Sequence, residues 1–398
     1  MSDTVDAPLF LIGVTGTNGK TSVTQWVAQA LNTLGQKCAV VGTLGNGFPD
    51  ALVPGPNTTP GAHVLRALLP QLANEGAVAC AMEVSSIGLH QNRVAGLAFD
   101  IAVFTNLTRD HLEYHGSMAE YAAMKRKLFE MPGLRAAVIN LDDAFGRELA
   151  EAFAGRLNIL GTTLEVAPDI DRHTQQRLRA EEIEMTTSGV AFRVGAVRFT
   201  APLIGLFNVA NLLAVIGVLR LRGFALEDCV PAIAALTPPP GRMQTLGGEG
   251  KPLVVVDYAH SPDALEKVLT TLRPTAIVRG GKLICIFGCG GDRDAGKRPE
   301  MGAVAERLAD TVIVTSDNPR SEDPHAIIAA IVGGMQRAPQ VEADRRTAIH
   351  HALTAAATPD VILLAGKGHE PYQEIAGQRI PYSDIATAQQ LLGNWQPC

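Results

Sequence analysis

The sequence predicts an α/β protein made of two successive open-sheet domains, the first carrying a phosphate-binding loop. Three observations predict it. Leu9 to Val14 form a short apolar run typical of a buried parallel strand, and a glycine-rich stretch ending in Lys20 and Thr21 separates that run from a helix-periodic segment. Further apolar runs recur down the chain, and several end in polar, glycine-containing loops, as strands of an open parallel sheet do along one edge. Between the two series lies TPPPGRM, residues 237–243, a stiff connector of three prolines and a glycine. The expected domains are therefore 1–240 and 241–398.

The stretch LFLIGVTGTNGKTSVTQ organises the first half. Gly13, Gly16 and Gly19 remove side chains where the backbone turns tightly and approaches a ligand. Thr17 and Asn18 complete the loop, Lys20, Thr21 and Ser22 follow, and Val23, Trp26, Val27, Ala30, Leu31 and Leu34 recur at helical spacing. In such a loop, backbone amides and the helix N-terminus face a phosphate, the lysine bridges the terminal phosphates, and the hydroxyl holds magnesium. The strict pattern requires glycine at position 14, where this chain has Val14, so the loop is the shorter Gly16-Thr17-Asn18-Gly19-Lys20-Thr21. A tight turn in another α/β protein is the competing reading; the Lys-Thr placement favours a nucleoside triphosphate.

Composition narrows the class. A chain of 398 residues with 46% hydrophobic content can bury two or three cores. A net charge of −6 argues against a nucleic-acid surface. The start, MSDTVDAP, is acidic and polar and shows no signal or transit peptide. The longest apolar stretch, 203–219, contains Gly205, Asn208, Asn211 and Gly217, and reads as a buried helix and its approach, not a membrane span. Of six cysteines only Cys285 and Cys289 lie close together, and these are expected to be a buried strand residue and a loop residue. The expectation is a cytoplasmic, monomeric enzyme acting on small molecules.

Along the first half, KCAVVG suggests a second strand. The loop after it sets Asn57, Thr58 and Thr59 among Pro54, Pro56 and Pro60; hydroxyls there can hold a phosphate or carboxylate, though alone they are turn chemistry. A helix over 61–76 leads into VACAMEVSS, a strand ending in Glu83, Ser85 and Ser86. A carboxylate at a strand end beside a phosphate loop is where magnesium-binding acids sit. DIAVFTNL ends in Asn106 and runs into a block holding Asp110, His111, Glu113, His115 and Lys125, a polar wall at another strand end. Residues 155–200 suggest short antiparallel strands. A helix with Asn208 and Asn211 near its start closes the half. In the second half, four strands end in polar loops: one at Asp257, Tyr258 and His260, one at Arg293, Lys297 and Arg298, one at Asp317-Asn318-Pro319-Arg320, and one at Gly366 to Glu370.

These blocks in this order resemble the Mur ligases, ATP-dependent enzymes that form peptide bonds in peptidoglycan precursor synthesis. The resemblance covers nearly the whole chain and rests on GTNGKT (16–21), EVSS (83–86), FTNLTRDHLEYHG (104–116), GRM (241–243), VDYAHSPDAL (256–265), FGCGGDRDAGKRP (287–299), DNPR (317–320) and GKGHE (366–370). It is most similar to the branch that adds meso-diaminopimelate to UDP-N-acetylmuramoyl-L-alanyl-D-glutamate. It implies a P-loop central domain of that family followed by a Rossmann-like C-terminal α/β domain.

The resemblance also implies roles. Gly16 to Ser22 would hold the ATP phosphates; Asn211, Arg242 and Asp257 would contact ATP across the domain boundary. Thr21, Glu83 and His111 would bind magnesium, together with Lys125 as a carbamate made from carbon dioxide. Asn57, Thr58, Thr59, Ser85, Gln91 and Arg93 would line the muramyl-dipeptide site. Arg293, Asp317, Asn318, Pro319, Arg320, Gly366 and Glu370 would hold the diamino acid, with Arg320 pairing its second carboxylate. Lys20, Glu83, His111 and Lys125 form the implied catalytic set, serving an acyl phosphate that the amine attacks.

Two departures from the family stand out. Ile87 follows Ser86 where the family has histidine, with His90 three residues on. About eight residues precede the first strand, where the family carries a uridine-diphosphate-binding domain, so the expectation is a chain lacking that domain. Two alternatives follow: a similar amide ligase whose acceptor lacks a uridine nucleotide, and a non-catalytic ATP-binding partner protein.

Overall fold

The computed structural model describes residues 9–165, 174, 176–185 and 189–396. Expectations for 1–8, and for 166–173, 175 and 186–188 within the 155–200 stretch, lie outside the described residues. The chain divides into two compact units, one of Met1–Thr108 with His115–Thr237, the other of Arg109–Tyr114 with Pro238–Cys398.

The first unit begins with β1 (Phe10–Thr15), α1 (Lys20–Thr33), β2 (Cys38–Gly42), β3 (Gly45–Phe48) and β4 (Ala51–Val53). Next come α2 (Ala62–Asn74), β5 (Ala79–Glu83), α3 (Ser86–His90) and β6 (Ile101–Phe104). The chain continues through α4 (Leu112–His115), whose residues up to Tyr114 belong to the second unit, and then through α5 (Met118–Arg126), β7 (Ala136–Asn140), α6 (Ala144–Phe153), β8 (Asn158–Thr163) and β9 (Gln176–Arg179). It then adds β10 (Glu181–Met185), β11 (Val190–Val194), β12 (Val197–Ala201), α7 (Leu206–Arg222) and α8 (Leu226–Ala234).

Among the described residues, nine strands form one sheet in the order β4-β3-β2-β5-β1-β6-β7-β8-β9. The strands are apolar on both faces because both faces are covered. Ile12 and Val14 pack with Trp26, Val27 and the α7 residues Leu212 and Leu213, whereas Leu11 packs on the other side with Leu65, Leu69 and Phe99. Trp26 also donates its indole N–H to Thr237 O at 2.9 Å. Parallel pairing sets β1 between β5 and β6, with Val14 opposite Glu83 and Thr15 opposite Phe104.

Residues 155–200 differ from the antiparallel expectation. Among the described residues of this stretch, β10, β11 and β12 form the expected antiparallel sheet, whereas β8 and β9 extend the large sheet in parallel. The helix α6 provides the crossover from β7 to β8, and Ile159 and Leu160 enter the two opposite cores. A short run such as NILGTT carries no periodicity that separates these cases.

The second unit contains β13 (Gln244–Gly247), β14 (Leu253–Asp257), α9 (Pro262–Arg279), β15 (Leu283–Phe287), α10 (Lys297–Leu308) and β16 (Thr311–Val314). It finishes with α11 (Pro324–Val332), β17 (Gln340–Val341), α12 (Arg345–Ala355), β18 (Val361–Ala365), β19 (Tyr372–Ile375), β20 (Gln378–Pro381) and α13 (Asp384–Gly393). Its sheet order is β13-β14-β18-β15-β16-β17, with only β13 antiparallel. Side-chain caps start α9 (Ser261), α11 (Asp323), α12 (Asp344) and α13 (Ser383). Trp395 donates its indole N–H to Leu353 O at 2.9 Å. Among the described residues, no helix is long and apolar enough to cross a membrane.

Candidate active site

In the first unit, the loop 16–19 joins β1 to α1 and is fitted tightly to its surroundings. Gly16 has φ 147° and Gly19 φ 87°; a Cβ on Gly16 would collide with the Thr105 hydroxyl, and one on Gly19 would lie 2.5 Å from Asn211 Oδ1. Both positions therefore require glycine. Asn106 holds the loop from the end of β6: its Oδ1 accepts from Asn18 N at 2.9 Å and its Nδ2 donates to Asn18 O at 3.1 Å. Thr17 N donates to Asn106 O at 2.8 Å. Lys20 Nζ lies back over the loop, donating to Gly16 O at 2.9 Å and Thr17 O at 2.8 Å. Thr21 and Ser22 are buried in the first turn of α1.

The β1–β5 register brings Glu83 to this turn. Its Oε2 accepts from Thr21 Oγ1 at 3.0 Å, and its Oε1 accepts from Thr43 N at 2.8 Å. Glu83 is 1% exposed, and Gly42 leaves the space it fills, since a Cβ there would collide with Oε1. Thr43 Oγ1 stands 3.1 Å from Glu83 Oε2 and 3.0 Å from Thr58 Oγ1. Thr43 is absent from the sequence-based set, although it follows β2 directly, where the strand-end rule applies.

The expected peptide-site residues form a connected network, Asn57 apart. Thr59 Oγ1 lies 2.9 Å from Glu83 O and 3.0 Å from Ser85 Oγ, and accepts from Ser85 N at 3.0 Å. Arg93 donates to Thr59 O at 2.8 Å and forks onto Gln91 Oε1 at 2.9 and 2.6 Å. Asn57 is exposed. Ser85 caps α3 by accepting from Gly88 N. Ile87 is half-buried and His90 exposed, while Ser86 Oγ meets His115 Nε2 at 3.0 Å.

Lys125, on α5, is 1% exposed. Its Nζ donates to Gly16 O at 2.7 Å and sits 4.3 Å from the Tyr121 ring centroid. Tyr121 Oη in turn lies 3.2 Å from Thr17 Oγ1.

In the second unit, Arg109–Tyr114 packs by long-range polar contacts. Arg109 Nε donates to Asp294 at 3.1 Å. Buried Asp110 faces His111 Nε2 at 3.6 Å, His260 Nε2 at 3.5 Å and Lys297 Nζ at 3.7 Å. Burial opposes charge on Asp110, but the His260 hydrogen bond and the charges of His260, His111 and Lys297 outweigh it and hold the carboxyl well below its usual range. His111 has φ 55°, a left-handed conformation uncommon for a non-glycine residue, and its N–H donates to Asp110 Oδ1 at 3.0 Å.

The strands β14, β18, β15 and β16 end together, with Asp257 opposite Ala365 and Phe287 opposite Val314. Asp257 accepts from Met243 N and Ala259 N, both at 2.8 Å; burial raises its carboxyl despite those bonds and the nearby Arg242. The Arg242 guanidinium lies 4.6 Å from the Tyr258 ring centroid. Beyond β16 and β18, Asn318, Lys367 and Glu370 interlock. Lys367 Nζ donates to Asn318 Oδ1 at 3.0 Å and Glu370 Oε2 at 2.9 Å, and Asn318 Nδ2 donates to the same Glu370 oxygen at 2.8 Å. Lys367 is fully buried; the sequence places it in the polar loop 366–370 without a role of its own, for which an ionic residue between two glycines is the available signal.

Buried Asp317 keeps its Oδ2 without a hydrogen-bond partner, aimed at Gly366, where any Cβ would collide with it. Arg320 has φ 52° and is fixed by Arg320 N to Glu374 O at 2.9 Å and Ala376 N to Arg320 O at 2.7 Å. Its Nη1 donates to Gly291 O at 2.7 Å. Pro319 is buried and Arg293 exposed, donating to Asp292 O at 3.0 Å. Cys285 lies inside β15 and Cys289 in the following loop, 3.6 Å from Met301 Sδ. Burial pushes both thiols up to about 12.

Comparison with known proteins decides the family. Residues 14–219 match the Mur ligase middle domain, and residues 241–368 match the Mur ligase, glutamate ligase domain. The UDP-N-acetylmuramoyl-L-alanyl-D-glutamate–2,6-diaminopimelate ligase of Pseudomonas aeruginosa is 55% identical over 395 residues, 98% of this chain and 79% of that protein. The chain belongs to the Mur ligase family. The enzyme of the same description from Ralstonia nicotianae is 53% identical over 94% of this chain and 74% of its own length. Among Mur ligases of known structure, one of that description superposes with a TM-score of 0.66 at 38% identity, covering 98% of this chain and 80% of the other. A Mycobacterium tuberculosis folylpolyglutamate synthase at 17% identity and a TM-score of 0.67, covering 91% of this chain and 89% of its own, shares the fold.

As expected of open parallel sheets, the strand ends of both sheets carry the polar loops. Among the described residues, no group of three or more His, Cys, Asp or Glu is arranged to hold a metal alone. Magnesium bound through one or two carboxylates and nucleotide phosphates needs no such cluster.

Proposed function

We propose that this chain joins meso-diaminopimelate to the D-glutamyl γ-carboxylate of UDP-N-acetylmuramoyl-L-alanyl-D-glutamate, using ATP, in peptidoglycan precursor synthesis. What carries the reading is 55% identity, over 98% of the chain, to a ligase of that description. The phosphate loop with its Thr21–Glu83 contact and the Asp317–Arg320 loop support it.

A carboxylate is a poor electrophile, so ATP transfers its γ-phosphoryl group to it, releasing ADP and leaving an acyl phosphate. The diaminopimelate amine, deprotonated, attacks the acyl carbon, and inorganic phosphate leaves. Lys20 and the amides of 16–22 stabilise charge on the phosphoryl group in flight. Thr21 and Glu83 set two oxygen donors 3.0 Å apart, a set that suits a hard cation. They would hold magnesium with Lys125 as its carbamate. Magnesium supplies charge neutralisation on the phosphate oxygens. The N–H that survives carbamylation of Lys125 can still donate to Gly16 O, so the modification fits the local bonding.

Asn211, Arg242 and Asp257 are assigned to ATP. Asn57, Thr58, Thr59, Ser85, Gln91 and Arg93 are assigned to the muramyl dipeptide. Arg293, Asp317 to Arg320, Gly366 and Glu370 are assigned to the diamino acid. The test is phosphate release by the purified chain with ATP, magnesium and the UDP-linked dipeptide, comparing diaminopimelate with lysine, and product mass by spectrometry. Release and a ligated product with diaminopimelate are expected. Phosphate release that ignores the diamino acid would overturn the reading.

A further inference from the structure

We infer that Arg345 is a positioning residue for the diamino-acid pocket, its guanidinium tying the loop after β16 to the loop after β18. The inference rests on the proposed reading of those two loops as that pocket.

Arg345 opens α12, and Asp384 opens α13. Arg345 Nε donates to Asp384 Oδ1 at 2.8 Å and Nη2 to Oδ2 at 2.7 Å, a bidentate pair with both side chains fully buried. Tyr382 Oη adds a bond to Asp384 Oδ1 at 2.9 Å. The remaining donors reach two carbonyls: Nη2 to Ala365 O at 2.8 Å and Nη1 to Ser316 O at 3.4 Å. Ala365 directly precedes Gly366 and Lys367; Ser316 directly precedes Asp317 and Asn318.

The sheet does not make this connection. β15 lies between β16 and β18, so no ladder hydrogen bond joins those two strands. Past the end of β15, the Arg345 fork spans the gap. The spacing it fixes is tight: Asp317 Oδ2 is directed at Gly366, and Asn318 shares the Lys367–Glu370 cluster. A displacement of either loop breaks that cluster.

A buried ion pair is a weak source of stability, since an apolar pair of equal volume often does as well. What an apolar pair cannot do is bond two carbonyls at set positions. Lysine keeps the charge but lacks the planar fork, and cannot serve Asp384 and both carbonyls together. The desolvated guanidinium remains charged because Asp384 outweighs the cost of burial.

The test compares the wild type with Arg345→Lys, and with Asp384→Asn, which keeps the shape and removes the anchoring charge. Michaelis constants for diaminopimelate, ATP and the UDP-linked dipeptide are measured where each variant is folded by circular dichroism. Hydrogen exchange is followed at 317–320, 366–370 and 16–22. The diaminopimelate KM should rise at least about tenfold, with the other two within about twofold. Exchange should quicken at 317–320 and 366–370 alone. A lower melting temperature with an unchanged diaminopimelate KM, or three constants rising together, would assign Arg345 a structural role only and overturn the inference. A wild type that ignores the diamino acid would overturn the reading of the pocket and this inference with it.

Discussion

Thr21 and Glu83 meet at 3.0 Å, hydroxyl to carboxylate, although 62 positions separate them in the chain. Parallel pairing of β1 with β5 produces the meeting, because Glu83 is the last residue of β5 and lies opposite Val14, just before the loop. Replacing Glu83 with glutamine keeps an acceptor for Thr43 N and removes the charge. We expect Glu83→Gln to melt close to the wild type while kcat falls on the order of 100-fold. Phosphate-release kinetics beside a thermal melt check this; unchanged kcat would remove Glu83 from the chemistry.

Lys20 is half-buried at the start of α1, and its Nζ donates to the loop carbonyls of Gly16 and Thr17. The variant Lys20→Ala should fold normally and lose ATP-dependent turnover. Full turnover in a folded Lys20→Ala protein would contradict the phosphate assignment.

Lys125 is expected to carry a carbamate. Native mass spectrometry in bicarbonate buffer should show the added carbon dioxide, and Lys125→Ala should recover part of its activity with short-chain carboxylates. An unmodified lysine in a turning-over enzyme would count against the assignment.

Arg320 is held in a left-handed conformation that aims its guanidinium along the Gly290–Gly291 loop. Arg320→Ala should raise the diaminopimelate KM by about 30- to several-hundredfold, a loss of about 2–4 kcal/mol, with little change for ATP. An equal loss with lysine as substrate would show that Arg320 does not read the distal carboxylate.

His369 gives a pH prediction. Burial first, then the charges of Arg242 and Lys367, push its imidazole down to about 4 from an ordinary 6.5. Between those values the unfolded chain binds a proton that the folded chain refuses, so stability falls as pH drops from about 6.5 to about 4. Urea unfolding at pH 7 and pH 5 should show that fall, and His369→Gln should reduce it. Identical pH dependence in both proteins would remove His369 as a cause.

The phosphate loop was legible because local rules govern it: a strand, three glycines and Lys-Thr stand together in sequence. The strand-end loops were legible for the same reason. The sequence does not display pairing register, and register is what joins Thr43, Thr58 and Glu83. It displays long-range ion pairing no better. Asp110 packs with His260 and Lys297, which places 109–114 in the second unit, remote in sequence from the rest of it. Lys367 is legible as part of the polar loop 366–370, but nothing local announces that Asn318 and Glu370 enclose it. The parallel run of β8 and β9 was hidden by strands too short to carry a period.

The chain has two tryptophans, and each reports on a different unit. Trp26 is buried against Thr237 in the first, and Trp395 bonds Leu353 in the second. Intrinsic fluorescence therefore carries two separable signals. Trp26→Phe leaves an emitter that follows the second unit, and Trp395→Phe leaves one that follows the first. Denaturation curves from the two proteins would coincide if the units unfold as one cooperative block, and split if each melts alone, with no external dye required.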